Sequence, residues 1–253
     1  MRVLVACEYS GTVRDAFSAL GHDAWSCDLL PTESPGLHYQ GEVLHILEGW
    51  MPVSWTSGCA PYGDDTCAIS GNSIGECSCV GPTQDGIEYL ERDGTLFGRP
   101  IETPQWDLMV AHPPCTYLSS SGLHWNKRTP GREQKTTDAI AFVRALMDAP
   151  IQRIAIENPI GRISTAIRKP DQIIQPWMFG EDASKSTCLW LKNLPKLRAT
   201  DVIKKERYAN QTPSGQNKLG PSPDRWKVRS KTYSGIANAI AAQWGTDREC
   251  VPK

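Results

Sequence analysis

The sequence predicts an α/β fold with a cysteine-rich insertion, and three features carry that prediction. The first is an opening that reads strand, turn, helix, strand from Arg2 to Asp28. The second is a pair of short apolar runs, Trp106–Ala111 and Ile151–Ile156, separated by an amphipathic helical stretch. The third is how these runs end, in Pro113-Pro114-Cys115 and in Glu157-Asn158-Pro159. Open α/β sheets bind ligands at the carboxyl ends of their strands, so these two ends bring a thiol, a carboxylate and an amide to one cleft.

Taken in order, residues 2–6 form a buried strand, and Cys7-Glu8-Tyr9-Ser10-Gly11 turns into a helix. Thr12 caps that helix, and Val13, Ala16, Phe17 and Leu20 make its apolar face until Gly21 ends it. A second strand runs from His22 to Cys27 and closes on Asp28. This is the layout of a nucleotide-type site, in which small turn residues let backbone approach the ligand and the carboxylate accepts ribose hydroxyls. Plain loop carboxylates at Glu8 and Asp28 are the alternative. Gly41-Glu42-Val43-Leu44 reads as a third short element.

Residues 51–104, rich in Gly, Pro, Cys, Asp and Thr, read as an insertion with a hairpin from Ile87 to Phe97 turning at Asp93-Gly94. Cys59, Cys67, Cys77 and Cys79 fall inside it, and four thiolates can complete a tetrahedral structural zinc site. Free thiols are the alternative, because the stretch has no Cys-x-x-Cys and Cys77-Ser78-Cys79 is tight for two ligands on one knuckle. After Cys115 come a polar loop, Ser119–Asn126, and a helix from Thr137 to Ala149 with Ile140, Val143 and Met147 in its stripe, stopped by Pro150. Beyond Pro159 the chain is irregular until Phe179, where a turn feeds a strand ending at Leu191. Gln211 to Pro223 reads as a loop ordered only on binding. Ser234 caps a last helix, Gly235–Trp244, with Ile236, Ile240 and Trp244 on one face.

Composition narrows the classes. With 253 residues, 40% hydrophobic content and 22% charge, the chain can bury a full core. No run approaches the ~18 apolar residues that a membrane span needs. The strand-like start without a signal-peptide pattern points to the cytoplasm. Nine scattered cysteines, an odd count, favour free, catalytic or metal-binding thiols over a disulfide framework. The formal charge of −1 hides an asymmetry: residues 1–110 hold 16 acidic and 4 basic side chains, residues 185–231 hold 3 acidic and 12 basic. The basic segment is interleaved with Tyr208 and Trp226 and followed by Tyr233, a pattern that suits nucleic acid, against the alternative of a solvated basic surface.

A cysteine beside a carboxylate suits pyrimidine chemistry better than proteolysis, which wants a histidine base, and no histidine accompanies Glu157 in the sequence. Carbon 5 of cytosine is a poor nucleophile until a thiolate adds to carbon 6, and an acid at ring nitrogen 3 eases that addition. The alternative for Cys115 is a buried small hydrophobe.

These residues resemble a known family. Pro114-Cys115 and Glu157-Asn158 resemble the nucleophile and Glu-Asn motifs of DNA (cytosine-5) methyltransferases, and Val3 to Asp28 resembles their S-adenosylmethionine site. Phe179-Gly180 through Lys185 to Leu191 parallels the family's arginine-bearing segment, and Thr232 to Asn238 its closing motif. The compact form is similar to methylase-like proteins of bacteriophages, which would place it in the host cytoplasm. The resemblance implies a Rossmann-like, S-adenosylmethionine-dependent methyltransferase fold with a mixed, mostly parallel sheet, and a catalytic core in residues 1–50 and 105–191 completed by 232–247. It leaves 51–104 as the insertion and 192–231 as the DNA-contacting segment. It implies that Cys115 attacks the base, Glu157 protonates it, Asn158 orients Glu157, and Lys185 stands where an arginine contacts the base. Cys7, Glu8, Tyr9, Ser10, Gly11, Asp28, Glu42, Pro113 and Asn238 would hold the cofactor. DNA is the expected partner, with no membrane and no obligatory protein partner. Thr116, Pro159, Ala183 and Lys185 depart from the family's usual residues. His112-Pro113-Pro114-Cys115 is also similar to the Asp-Pro-Pro-Tyr motif of amino-methyltransferases. A pyrimidine hydroxymethylase and a non-enzymatic DNA-binding protein with an idle methylase core remain as alternatives.

Overall fold

The computed structural model describes residues 1–49 and 106–246, together with the backbone of five short strands between them. The chain forms two compact units, residues 1–41 with 106–253, and residues 42–105. In chain order the larger unit contains β1 (Arg2–Ala6), α1 (Thr12–Ser18), β2 (Asp23–Asp28) and β3 (His38–Gln40). In the smaller unit are α2 (Val43–Leu47), β4 (Met51–Pro52), β5 (Pro61–Tyr62), β6 (Thr66–Cys67), β7 (Ile87–Arg92) and β8 (Thr95–Pro100). The larger unit resumes with β9 (Leu108–Ala111), α3 (Ser120–Leu123), α4 (Arg132–Met147), β10 (Arg153–Pro159) and α5 (Ile163–Ala166). It ends with β11 (Gln172–Ile174), β12 (Thr187–Lys192), α6 (Arg225–Ser230) and α7 (Ser234–Trp244).

Seven strands of the larger unit make one sheet in the order β11-β12-β10-β9-β1-β2-β3. The five from β3 to β10 are parallel, and β12 runs antiparallel to both β10 and β11. The sheet is therefore α/β, mixed and mostly parallel, as the sequence predicts, and its layout is compatible with a Rossmann-like fold. β1 and β9 are central, which explains their unbroken apolar runs: a strand covered on both faces has no polar side to show. Val3, Val5, Leu108, Val110 and Ala155 pack with Phe17 of α1 and with Ile236, Ile240 and Trp244 of α7. Side chains alternate along a strand, so the equally buried Leu4, Met109, Ile154 and Ile156 face the other side of the sheet. α7 starts at a tight crossing, because a Cβ on Gly235 would strike the Phe179 carbonyl.

Several local expectations change. Thr12 does not cap α1: Gly11 occupies the cap position at φ 75°, and Glu8 supplies the capping carboxylate. Leu20 falls beyond α1 and is exposed. The third element is β3 followed by α2, so Gly41 and Glu42 lie in the connection. The hairpin forms as β7 paired with β8, Arg92 opposite Thr95. α4 begins at Arg132, five residues ahead of the expected start, after Gly131 at φ 74°. α5 and β11 occupy a stretch expected to be irregular. Gln211–Pro223 carries no helix or strand, only an isolated bridge between Gln211 and Asn217. Among the described residues no helix is long and apolar enough to cross a membrane.

Arg14 shows how the connection after β2 is fixed. Its side chain is fully buried, and a buried guanidinium is costly unless each donor is matched. Its donors reach Ser26 Oγ at 3.0 Å, Thr32 Oγ1 at 3.2 Å, Ser34 Oγ at 2.7 Å, the Pro35 carbonyl at 3.1 Å and Asp15 Oδ1 at 2.8 Å.

Trp244 tests the packing of α7. It is 1% exposed, and its indole donates to the Pro195 carbonyl at 2.9 Å. Trp244→Ala should lower unfolding stability by about 3–5 kcal/mol in chemical denaturation. A loss below about 1 kcal/mol would show that α7 does not close the core.

Candidate active site at the carboxyl edge of the sheet

Strand order reverses direction between β1 and β9: the chain leaves β1 towards β2 on one side, while β9 lies on the other. The carboxyl ends at such a point are where open α/β sheets bind ligands, since the two departing connections diverge and leave a crevice. Cys7–Gly11 departs from β1 and His112–Tyr117 from β9. Backbone bonds from Glu8 to Cys27 and from His112 to Ala6, 3.0 and 2.9 Å, hold both departures against their neighbouring strands.

On the β1 side, Glu8 is buried and turned towards α1. Its carboxylate accepts the Val13 amide at 2.7 Å, the Arg14 amide at 3.2 Å and the Ser10 hydroxyl at 3.3 Å. It thus fills the place at a helix amino terminus where an anionic ligand group would sit. Burial pushes the Glu8 carboxyl up, against the pull of His112, the two amides and Arg14. Cys7 adopts φ 59°, an uncommon conformation for a residue with a side chain, and burial next to Asp28 pushes its thiol up. Asp28 stands at the tip of β2 with one carboxylate oxygen on the Leu30 amide at 2.9 Å, and burial raises its pKa too. Tyr9 points across the edge: its hydroxyl donates to the Lys227 carbonyl at 2.8 Å, and its ring lies 6.4 Å from that of Trp226.

On the β9 side the structure corrects the sequence reading. A histidine does accompany Glu157: His112 Nδ1 lies 3.0 Å from Glu157 Oε2, with the two side chains 8% and 13% exposed. Burial pushes the Glu157 carboxyl up, but the His112 hydrogen bond, the Lys185 charge and the Thr187 hydroxyl outweigh it and hold the group below the ordinary carboxylate range. The hydrogen bond of the Asn158 side chain runs to the cysteine loop and not to Glu157. The Asn158 side-chain amide donates to the Pro113 carbonyl at 2.6 Å and so anchors the loop that carries the cysteine. Cys115 opens a short 3₁₀ turn, Cys115–Tyr117, and is accessible to solvent. Its inner side is crowded, so desolvation raises the thiol pKa, Glu157 raises it further, and Lys185 and Arg229 oppose both.

Lys185, just ahead of β12, donates to the Arg229 carbonyl at 3.0 Å. With Tyr9 on Lys227 and Glu33 paired to Lys231, this makes α6 and the residue after it a strap across both halves of the edge. His112, Glu157, Lys185, Thr187 and Tyr233 line one narrow cavity.

The edge thus brings together Cys7, Glu8, Tyr9, Ser10, Gly11 and Asp28 on one side and Pro113, Cys115, Glu157, Asn158 and Lys185 on the other. Glu42 opens the second unit, and Asn238 is exposed on α7 and does not line the cavity. Cys59, Cys77 and Cys79 lie outside the described residues, as does the side chain of Cys67, so the zinc expectation lies there too. His112, Thr187 and Arg229 are the residues that sequence reasoning missed. His112 was within reach: Ala111 pairs with Ile156 in parallel register, so the next residue on each strand must meet the other. No family model matches the chain, and no curated protein matches it either.

The electrostatics can be read through the thiol. Glu157→Gln should speed alkylation of Cys115 at neutral pH, and Lys185→Met should slow it, because the first removes a charge that disfavours thiolate and the second one that favours it. Peptide mapping by mass spectrometry after timed iodoacetamide exposure checks both; equal rates in all three proteins would remove these groups from the thiol's surroundings.

Proposed function

We propose that the chain is a DNA (cytosine-5) methyltransferase, moving a methyl group from S-adenosylmethionine to carbon 5 of a cytosine turned out of its helix. The observation that carries this reading is the arrangement at the ends of β9 and β10: an accessible thiol, Cys115, under the charge of a buried carboxylate, Glu157, on a loop anchored by Asn158. The mixed, mostly parallel sheet agrees with the methyltransferase fold that the motifs imply.

The β1 side suits this donor better than a dinucleotide. Glu8 already satisfies the first amides of α1, leaving no opening for a pyrophosphate, whereas S-adenosylmethionine carries no phosphate. Asp28, at the tip of β2, would take the ribose hydroxyls, with Cys7 to Gly11 alongside. When bound, the cofactor supplies an electrophilic methyl carbon. The chain's own residues do the rest. Cys115 Sγ, as thiolate, adds to carbon 6 and makes carbon 5 nucleophilic, while the acid at ring nitrogen 3 comes through Glu157. Lys185 and Arg229 favour the thiolate. Extruding a base costs a few kcal/mol, and the cations at the site together with the basic segment 185–231 would offset this through phosphate and base contacts. Trp226, 52% exposed between Arg225 and Lys227, adds an aromatic surface to that face.

His112 at the first position of His-Pro-Pro-Cys favours a second reading, an amino-methyltransferase, since it puts a hydrogen-bonding side chain where that family has its aspartate. One experiment separates the two. DNA containing 5-fluorocytosine should trap the protein covalently in the presence of S-adenosylmethionine, because fluorine at carbon 5 blocks the elimination that frees the cysteine. Cys115→Ala should form no adduct and turn over about 10³-fold more slowly or worse. Near-normal turnover by that variant would replace the covalent mechanism with direct transfer to an amine.

A further inference from the structure

We propose that His112 supplies the proton that Glu157 passes to the base, the two side chains holding one proton between them; this deepens the cytosine reading and rests on it. The geometry is that of a built pair. Parallel register sets the residues side by side, both are nearly buried, and the 3.0 Å contact joins Nδ1 to Oε2. Among the described residues Nε2, which is buried, has no hydrogen-bond partner, and the contact of Nδ1 with Glu157 orients the ring. Nδ1, in contact with Oε2, is the ring nitrogen through which a proton can pass to Glu157.

The step requires the pair to begin as imidazolium and carboxylate. As the bond from Cys115 Sγ to carbon 6 forms, electron density displaced from the ring double bond reaches nitrogen 3, which takes a proton from Glu157, and Glu157 takes the Nδ1 proton of His112. After the methyl group is in place and the carbon 5 proton has left to solvent, the bond to sulfur breaks and nitrogen 3 returns its proton to the pair. A carboxyl that is held ionised at rest cannot serve as the acid alone, and the neighbouring imidazole removes that difficulty. Moving the proton onto Glu157 also cancels the charge that disfavours the Cys115 thiolate, so one transfer prepares both acid and nucleophile.

Other groups act on the pair from every side. Glu8 from the turn after β1 and Asp28 from the tip of β2 face His112. Lys185 and Thr187, at the approach to β12, act on Glu157. Tyr233, at the start of α7, lines the same cavity. Cys115 lies on the same loop as His112, and Arg229 of α6 acts on Cys115. In the proposed step His112 acts through Glu157, so it is a positioning residue, and its test must separate proton supply from support. Because the working form carries one proton, turnover should fall as pH rises past the apparent pKa of the pair.

His112→Gln keeps an amide donor for Glu157 but holds no transferable proton. We expect kcat to drop about 10²- to 10³-fold while KM for DNA and cofactor affinity stay within about twofold, with residual turnover rising towards lower pH. The carboxyl carbon of Glu157, followed by NMR in the protein without DNA, should titrate at higher pH in the variant than in the wild type. His112→Asn repeats both measurements with a shorter amide, so that a folding defect in one variant is separated from proton loss. Wild-type kcat and pH profile in the folded His112→Gln variant would overturn the proposal and leave His112 a structural support. If the wild type forms no 5-fluorocytosine adduct, the cytosine reading falls by itself. The NMR titration then still decides the pair, since identical Glu157 curves in both proteins would overturn it.

Discussion

The parallel pairing of β9 with β10 is the constraint on which the edge of the sheet depends. Once Ala111 sits opposite Ile156, His112 and Glu157 must follow as neighbours, and their hydrogen bond joins the two strand ends. Asn158, one residue further along β10, then reaches the Pro113 carbonyl and fixes the loop that presents Cys115. A shift of one residue would send Glu157 to the other face and leave the thiol without its carboxylate, because side chains alternate along a strand.

Charge is divided along the same edge. Glu8 and Asp28, both buried enough to resist ionisation, stand on the β1 and β2 side. Lys185 and Arg229 stand on the side of Cys115 and Glu157. A phosphate-free donor suits the first side and a polyanion the second. The strap formed by α6 joins them, through Tyr9 on one side and Lys185 on the other.

Much of this was legible in the sequence, and the failures have physical reasons. β1, β2, β9, β10 and β12 announce themselves as apolar runs closed by turn residues. β11 has three residues at the edge of the sheet and carries no periodicity of its own. α4 starts early because its first turn, Arg132 to Lys135, is polar on every side and shows no apolar stripe. The α1 cap was misread because local rules look for a hydroxyl at the cap itself, whereas Glu8 reaches forward over five residues to the Val13 amide. Cys115, Glu157 and Asn158 were singled out because they follow apolar runs in the sequence, although Glu157 and Asn158 still belong to β10. His112 was passed over because its partner is 45 residues away and only strand register joins them.

Methylation of cytosine at carbon 5 by this edge is tested by mass spectrometry of nucleosides from DNA incubated with the protein and S-adenosylmethionine. The expected product is 5-methylcytosine that accumulates with time and protein concentration and is absent with Cys115→Ala. Methylated adenine or N4-methylcytosine, or no modified nucleoside from protein shown to bind both DNA and cofactor, would contradict that assignment.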